Sequence, residues 1–249
     1  MMPCRTWAWA KAVVPEMPFS KPAGTHAGIE TLRHVPLFSE LSPSELEQVA
    51  TLSSPRSCRR GETIFLENDP GDALYIIQSG LVRIYRVAED GREKTLAILT
   101  DGDFFGEMAL MDEMPRSAVA QAREPTQLLA IHKQDFERLL AQNPHLSRAI
   151  ITSLSRRLRA ANEQLLGAVF LDVRERVHRI LKVLAAEHGH PHPGGGRIIG
   201  LRLTHQELAN LAGTSRETVT RVLAEMQDEG LIRWQDRRLV LTTRGIDDG

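Results

Sequence analysis

Cysteine and long apolar runs are both scarce in this sequence. Its 249 residues include only two cysteines, Cys4 and Cys58, and two cannot build a disulfide framework, a CxxC pair or a four-cysteine cluster site. We therefore expect reduced thiols. Every apolar run is too short to span a membrane, and Lys11 interrupts the apolar patch near the start, which makes a poor signal peptide. The sequence predicts a cytoplasmic protein with no membrane partner.

An excess of either charge is also missing. The chain has 31 Lys and Arg against 32 Asp and Glu, a formal net charge of −1. The strongly basic footprint of proteins that coat nucleic acids is therefore absent, but this composition does not exclude a site-specific DNA binder with locally placed arginines. Residues 1–28 are rich in Pro, Ala and Gly, so we expect a disordered tail there. A translation start further along, for example at Met17, is an alternative.

The first half of the remaining chain predicts one helix followed by many short strands. Ser42, Pro43 and Glu45 form a helix-start signal with a capping box. Glycines then recur about every ten residues, and Asp90-Gly91 is a hairpin turn signal. The β-branched and aromatic runs between them are residues 63–66, 74–77, 81–87, 95–99, 117–122 and 127–132. This even spacing predicts an antiparallel barrel or sandwich.

A long helix is predicted from His145 to about Val169, after a shorter helix that ends at Asn143-Pro144. Its apolar positions recur at alternating spacings of three and four, at Ile151, Leu154, Leu158, Ala161, Leu165 and Ala168. That spacing is typical of paired helices. We expect a parallel two-helix contact within a homodimer, and the alternative is a single amphipathic helix that lies on its own core.

The C-terminal third predicts a winged helix-turn-helix. Asp172 and Glu175 form a capping box for a helix that ends near Ala186, and a flexible loop, HGHPHPGGG, follows it. Thr204 and Glu207 start a second helix in the same way. After a turn at Gly213, Thr214 or Ser215 caps a third helix, and Glu217 is expected to complete a box with Thr214. Gly230 ends this helix, and a two-stranded wing follows.

The start of the third helix carries side chains suited to DNA. In a helix-turn-helix this end enters the major groove, and four residues there lie opposite the apolar face: Arg216, Glu217, Thr220 and Arg221. Arginine can bind guanine O6 and N7, and glutamate can accept from cytosine N4. Short hydroxyls that suit phosphate contacts are found at Thr204, Ser215 and Thr218. A solvated Arg216–Glu217 pair on an ordinary helical hairpin is the alternative.

One further segment, GEMALMDEMPRSA (106–118), places the carboxylate of Glu107 nine residues before the guanidinium of Arg116. These two side chains are either surface charges, or they bind a small molecule that needs both a hydrogen-bond acceptor and a cation from the protein. An enzyme that uses Glu107 as an acid or base is a third hypothesis, but we find no metal set, nucleophile–base pair or cofactor loop to support it.

The order of these parts resembles the family of cyclic AMP receptor protein and FNR-type bacterial transcription regulators. The resemblance covers about residues 30–245, and its motifs are DGDFFGEMAL (101–110), PRSA (115–118), FLDVRERV (170–177) and TSRETVTRVLAEM (214–226). It implies an α+β chain in three parts: an antiparallel β-roll (jelly-roll) cyclic-nucleotide-binding sensor domain over residues 29–144, a dimerisation helix over 145–170, and a winged helix-turn-helix DNA-binding domain over 171–249.

The same resemblance implies cAMP as an allosteric ligand of the segment Gly106, Glu107, Met108, Ala109, Arg116 and Ser117. By that match, Glu107 accepts from the ribose 2′-hydroxyl, Arg116 and Ser117 bind the cyclic phosphate, and Gly106 lets the backbone approach. Arg157 matches a family arginine that can pair with Glu107. The family's Thr-Ser pair that reaches adenine is Ala161 and Asn162 here, and only Asn162 retains a hydrogen-bonding group.

Other family properties are implied for the remaining segments. The loop over residues 189–197 occupies the place of a surface that contacts RNA polymerase, and the SRETVTR match implies half-sites like TGTGA. An iron–sulfur sensor is excluded because the cysteine cluster is missing. None of the candidate haem ligands, His34, His132 and His145, sits in a distinctive motif. The alternative function is the same DNA-binding regulator, gated by another small molecule or by none.

Overall fold

The computed structural model describes residues 32–33 and 35–247, so the predicted tail, Cys4 and His34 lie outside the described residues. Helix α1 begins where the sequence predicts. The Ser42 hydroxyl accepts from the Glu45 backbone N–H, the Glu45 carboxylate accepts from the Ser42 backbone N–H, and Pro43 is the first helical residue. The helix spans Pro43–Leu52, after a short 3₁₀ turn at Pro36–Phe38.

Two four-stranded antiparallel sheets follow α1 and pack around a common core. Their strand orders are β1-β8-β3-β6 and β2-β7-β4-β5. The strands are β1 Ser53–Cys58, β2 Thr63–Phe65, β3 Ala73–Ser79, β4 Val82–Val87, β5 Glu93–Leu99, β6 Phe104–Phe105, β7 Val119–Ala122 and β8 Thr126–His132. The predicted antiparallel roll is confirmed. Cys58 is a free, buried thiol within it.

Three helices accompany the roll, one within it and two after its last strand. The short helix α2 (Met108–Met111) lies between β6 and β7, α3 spans Lys133–Gln142, and α4 spans Pro144–Phe170. Asn143 both ends α3 and precedes α4. The start of α4 packs on the roll, because Leu146 and Ile150 are buried in one cluster with Phe38 and Phe136. Beyond Ile150 the helix presents apolar side chains to solvent.

The C-terminal part has its own core and its own sheet, of order β11-β12-β10-β9. Its elements are α5 Val173–His188, β9 Gly189–Pro191, β10 Arg197–Ile199, α6 His205–Ala212, α7 Arg216–Asp228, β11 Ile232–Gln235, β12 Arg238–Leu241 and α8 Thr243–Asp247. Helices α6 and α7 with the β11–β12 hairpin form the predicted winged helix-turn-helix. None of the helices in the described ranges is long and apolar enough to cross a membrane.

Two local predictions in this part are wrong. The segment after α5 is not simply a flexible loop, because Gly189–Pro191 pairs with Arg197–Ile199 as strands β9 and β10. The predicted capping box between Thr214 and Glu217 does not form. Ser215 is the N-cap of α7 instead, and its hydroxyl accepts from the Thr218 backbone N–H. The cap therefore lies one residue later than the box requires.

Candidate ligand pocket and DNA-binding surface

Glu107 and Arg116, separated by nine residues in sequence, are brought together at the end of β6. Glu107 is 1% exposed, and Arg116 is 2% exposed. The Arg116 guanidinium donates to Gly106 O at 2.6 Å, to Ala73 O at 2.8 Å and to Asp72 Oδ1 at 2.9 Å. Gly106 has φ +84°, and a Cβ there would lie 2.6 Å from Arg116 Nη1. This close approach is the structural reason for glycine at position 106.

Helix α4 closes the same pocket with an arginine. Arg157 Nη1 donates to Glu107 Oε1 at 2.7 Å, and a second nitrogen of Arg157 donates to Phe104 O. The expected Arg157–Glu107 pair is thus present. Two atoms of the pocket remain buried without a hydrogen-bond partner, Glu107 Oε2 and Arg116 Nε. One is an acceptor and the other a donor, the combination that a hydroxyl and an anion on one ligand require.

The other residues predicted for this pocket lie around it in different settings. Ser117 is exposed, and its hydroxyl lies 4.0 Å from Met108 Sδ. Met108 is itself exposed, whereas Ala109 is buried and packs against Gly71. Ala161 and Asn162 are exposed on α4, about one helical turn beyond Arg157. The pocket floor is therefore rigid and charged, and its rim is exposed.

The predicted DNA-contacting residues share one exposed face of α7. Val219, Val222, Leu223 and Met226 are buried against the rest of the domain, so Arg216, Glu217, Thr220 and Arg221 remain exposed on the other side. The backbone N–H of Glu217 and the Ser215 hydroxyl lower the pKa of the Glu217 carboxyl. Glu217 is therefore an ionised acceptor at neutral pH. Arg221 also contacts Glu225 at 3.3 Å.

Helix α6 begins after Thr204, another of the predicted DNA-contacting residues. The Thr204 hydroxyl accepts from the Glu207 backbone N–H in a complete capping box, and Gly213 ends the helix with φ +65°. The ring of His205, the first residue of α6, lies 2.8 Å from Thr220 Oγ1, measured from Nδ1. It also contacts the ring of Trp234 on the wing. Neither His205 nor Trp234 was among the residues predicted from the sequence, although His205 directly follows the N-cap of α6.

The sensor sheet and α6 are in direct contact. Arg123, in the turn after β7, pairs with Glu207, and the Lys94 ammonium on β5 donates to Leu211 O. Asn210 Nδ2 donates to Glu93 Oε2 at 3.2 Å. Burial, and secondarily the charge of Arg176, lowers the pKa of Lys94. These contacts connect the roll to α6, the first helix of the helix-turn-helix.

Within this contact, Glu207 both completes the capping box of α6 and forms an ion pair with Arg123. Burial raises the pKa of its carboxyl, but hydrogen bonds from Thr204 and the charge of Arg123 outweigh burial, so the pKa lies below its ordinary value. A carboxyl with a lowered pKa in the folded state stabilises the fold above its ordinary pKa. That contribution is lost as the pH falls through the folded-state pKa.

A buried charged pocket in an antiparallel roll, connected by a long helix to a winged helix-turn-helix, defines a ligand-sensing DNA-binding protein. The family model for the Cyclic nucleotide-binding domain matches residues 55–143, and that for the Crp-like helix-turn-helix domain matches residues 175–245.

Individual proteins similar to this chain are also regulators or receptors of this kind. The Cyclic AMP receptor protein of Thermus thermophilus is 42% identical over 199 residues, covering 80% of this chain and 88% of that protein. The CRP-like cAMP-activated global transcriptional regulator of Mycobacterium tuberculosis is 35% identical over 213 residues, covering 86% and 95%. The solved structure of the c-di-GMP responsive global regulator CLP of Xanthomonas campestris has a TM-score of 0.71 at 31% identity, covering 81% and 99%.

The chain belongs to the CRP/FNR family of transcriptional regulators. It is a DNA-binding transcription regulator with a cyclic nucleotide-binding domain, and the family resemblance drawn from the sequence motifs is confirmed. The relatives named above are regulators or receptors and not enzymes.

Proposed function

We propose that the protein is a cAMP-responsive transcription regulator that binds, as a homodimer, a palindrome of two TGTGA-type half-sites. The sensor domain would comprise residues 29–144, the dimerisation helix 145–170 and the DNA-binding domain 171–249. The loop over residues 189–197 would contact RNA polymerase. Because its target is bacterial DNA, we propose the cytoplasm as its location.

The two unpartnered buried atoms of the pocket carry this proposal. A buried polar atom without a hydrogen bond costs about 1–3 kcal/mol, so a ligand that satisfies Glu107 Oε2 and Arg116 Nε together binds favourably. A ribose 2′-hydroxyl can donate to Glu107, and the single negative charge of a cyclic phosphate suits Arg116 and the Ser117 hydroxyl. Asn162 would bond adenine with its amide, whereas Ala161 offers only van der Waals contact.

The dimer is supported by the outer face of α4. Ile151, Leu158, Leu165 and Val169 are each more than 60% exposed there, although a row of large exposed apolar side chains is uncommon on a monomer. Leu154 departs from the predicted stripe, because it packs partly on the roll core. A second copy of α4 would cover the exposed row and place the two α7 helices roughly 34 Å apart, one turn of DNA.

Specificity would come from α7 and positioning from the helix starts. We assign base contacts to Arg216, Glu217 and Arg221, where each good bidentate pair discriminates by about 1–3 kcal/mol, with Thr220 on the same face. Thr204, Ser215 and Thr218 would contribute phosphate contacts near the N-termini of α6 and α7. Replacing Arg216 or Arg221 by Ala should relax specificity at one base pair of each half-site.

Coupling between the two sites would run through Arg157 and the segment 170–172. Arg157 joins the pocket to α4, and α4 leads directly into α5 of the DNA-binding domain. We expect the contacts of Arg123 and Lys94 with α6 to differ between two arrangements of the domains. A ligand changes their ratio only through its different affinity for each.

A second candidate is the same regulator gated by a different small molecule or by none. Ala161 favours it, because the adenine-facing hydrogen bond implied by the family is missing there. The Xanthomonas relative is described as c-di-GMP responsive, which shows that the family is not restricted to one effector. The DNA-binding residues are the same under both candidates.

The test is fluorescence anisotropy of a labelled duplex with two inverted TGTGA half-sites, with and without cAMP at one salt concentration. The proposal predicts tight binding only with cAMP, and an Arg216→Ala variant that loses the preference for this duplex over one with a swapped base pair. Equal binding without cAMP would favour the second candidate. Equal weakening of Arg216→Ala on all duplexes would contradict base recognition by this residue.

A further inference from the structure

His205 lies where three parts of the DNA-binding surface meet. It is the first residue of α6, directly after the N-cap Thr204. Its Nδ1 is 2.8 Å from Thr220 Oγ1 on α7, and its ring centroid is 5.9 Å from that of Trp234 on β11, with the ring planes inclined by 34°. The imidazole therefore contacts both α7 and the wing.

The hydrogen bonds of Thr220 fix which nitrogen of His205 carries a proton. The Thr220 hydroxyl donates its single proton to Arg216 O at 2.9 Å, one turn earlier in α7. Its oxygen can then only accept from His205, so Nδ1 is an N–H group. The opposite nitrogen, Nε2, has no hydrogen-bond partner among residues 32–33 and 35–247. It is a bare acceptor in the neutral ring and a donor in the imidazolium.

We propose that His205 binds a DNA phosphate in its protonated form, so that DNA binding takes up protons. The inference rests on the proposed use of α6 and α7 in DNA binding. A phosphate oxygen only accepts hydrogen bonds, so the neutral ring offers it a lone pair, whereas the imidazolium offers a charge-assisted N–H donor. The nearby face of Trp234 also stabilises a cation at about 6 Å.

Thr220 acts here as a positioning residue. Both hydrogen-bonding functions of its hydroxyl are occupied, one by Arg216 O and one by His205. The predicted base contact of Thr220 is thereby limited to its methyl group, which can pack against a thymine methyl. The hydroxyl instead fixes the orientation of the His205 ring through the hydrogen bond from Nδ1.

The elements that meet at His205 carry several charged side chains. They include Arg216, Glu217 and Arg221 on α7, Glu207 on α6, and Arg233, Asp236 and Arg237 on the wing. Arginine stays charged throughout the range of pH 5.5–8, and the pKa values of Glu207 and Glu217 are lowered. Histidine is the side-chain type whose charge ordinarily changes between pH 5 and 8, so we assign the proposed pH dependence to the imidazole.

The test is the pH dependence of DNA binding by the full-length protein, measured by anisotropy at fixed salt from pH 5.5 to 8, with cAMP present. For the wild type we expect the Kd to rise about tenfold per half-site across this range. We also expect the slope of log K against log salt to be steeper by about 0.9 per half-site at pH 5.5 than at pH 8. His205→Gln should abolish both differences, and Thr220→Val should reduce them. The control variant His190→Gln, at an exposed position on β9, should retain them.

A pH profile of His205→Gln identical to that of the wild type would overturn the inference. A phosphate contact is independent of sequence, so the same difference is expected on an unrelated duplex. One outcome is that the protein binds the TGTGA palindrome no more tightly than the unrelated duplex and still shows the His205-dependent pH profile on both. In that case the proposed half-site is wrong and this inference stands. If the palindrome is preferred at all pH values and His205→Gln changes nothing, the inference fails and the proposed function stands.

Discussion

Arg116→Met removes the guanidinium that we assign to the cyclic phosphate and leaves an apolar side chain of similar length. The change keeps a contact with Phe65, whose ring centroid lies 4.3 Å from the guanidinium carbon. Opposite unit charges about 4 Å apart attract by about 4 kcal/mol at an effective dielectric constant of 20. Loss of one partner of a buried charge pair costs about 2–5 kcal/mol in binding. We therefore expect the Kd for cAMP to rise at least about 30-fold.

The measurement is isothermal titration calorimetry of cAMP into each variant, with thermal unfolding recorded in parallel. Unfolding matters because Gly106 O and Ala73 O lose a donor, at about 1–3 kcal/mol for each group left unpaired. Arg116→Lys keeps the charge but not the two-pronged geometry, so its Kd should fall between those of wild type and Arg116→Met. Asp72→Asn is the matched control. It removes the carboxylate that competes for Arg116, and cAMP should bind as tightly as in wild type or more tightly.

Two outcomes would refute the assignment of Arg116. One is a folded Arg116→Met protein that binds cAMP with the wild-type Kd. The other applies if that variant does not fold, and it is an Arg116→Lys protein whose cAMP affinity is the same as that of wild type.

Three other substitutions test the pocket, the dimer and the domain contact. Arg157→Met leaves the Glu107 carboxylate buried without its partner. Because the Arg157 side chain is 37% exposed, we expect a loss of about 1–3 kcal/mol of unfolding free energy in a urea titration, and an unchanged unfolding free energy would contradict the importance of this pair. Leu158→Glu places a charge in the exposed apolar row and should convert dimers to monomers in sedimentation velocity, where an intact dimer would count against the α4 interface. Glu207→Gln keeps the capping box but loses the ion pair with Arg123. It should cost about 1 kcal/mol at pH 7. Because the pKa of Glu207 is lowered, the difference from wild type should shrink as the pH falls through the folded-state pKa, and a difference that is independent of pH would contradict the role of this charge.

Local signals in the sequence were sufficient for much of the fold. The capping boxes at Ser42, Asp172 and Thr204 form as predicted, because each depends on residues three apart in one short segment. The strand β1 was not predicted, since its sequence SSPRSC is polar and contains Pro55. It forms as an edge strand, and its pairing with β8 comes from residues more than sixty positions away. Strands β9 and β10 were missed because glycines and prolines between them favour loops.

In the candidate sites, too, some contacts were expected from the sequence and others depend on residues far apart in the chain. The pair of Glu107 with Arg157 followed from the family resemblance, and the structure confirms the contact. The burial of Arg116 beneath Asp72 and Ala73 depends on β3, more than forty residues earlier, and no local pattern indicates it. The contacts of His205 with Thr220 and Trp234 join three elements, so they too required the folded chain.

Coupling between the cAMP pocket and the DNA-binding surface can be measured from either site, because the coupling free energy between two sites acts equally in both directions. The Kd of cAMP is measured by calorimetry for the free protein, for the protein saturated with the TGTGA palindrome and for the protein with a scrambled duplex. We predict that the palindrome tightens cAMP binding by the same factor by which cAMP tightens binding to the palindrome. An identical Kd for cAMP in all three states would contradict the claim that the pocket of Glu107 and Arg116 controls DNA binding.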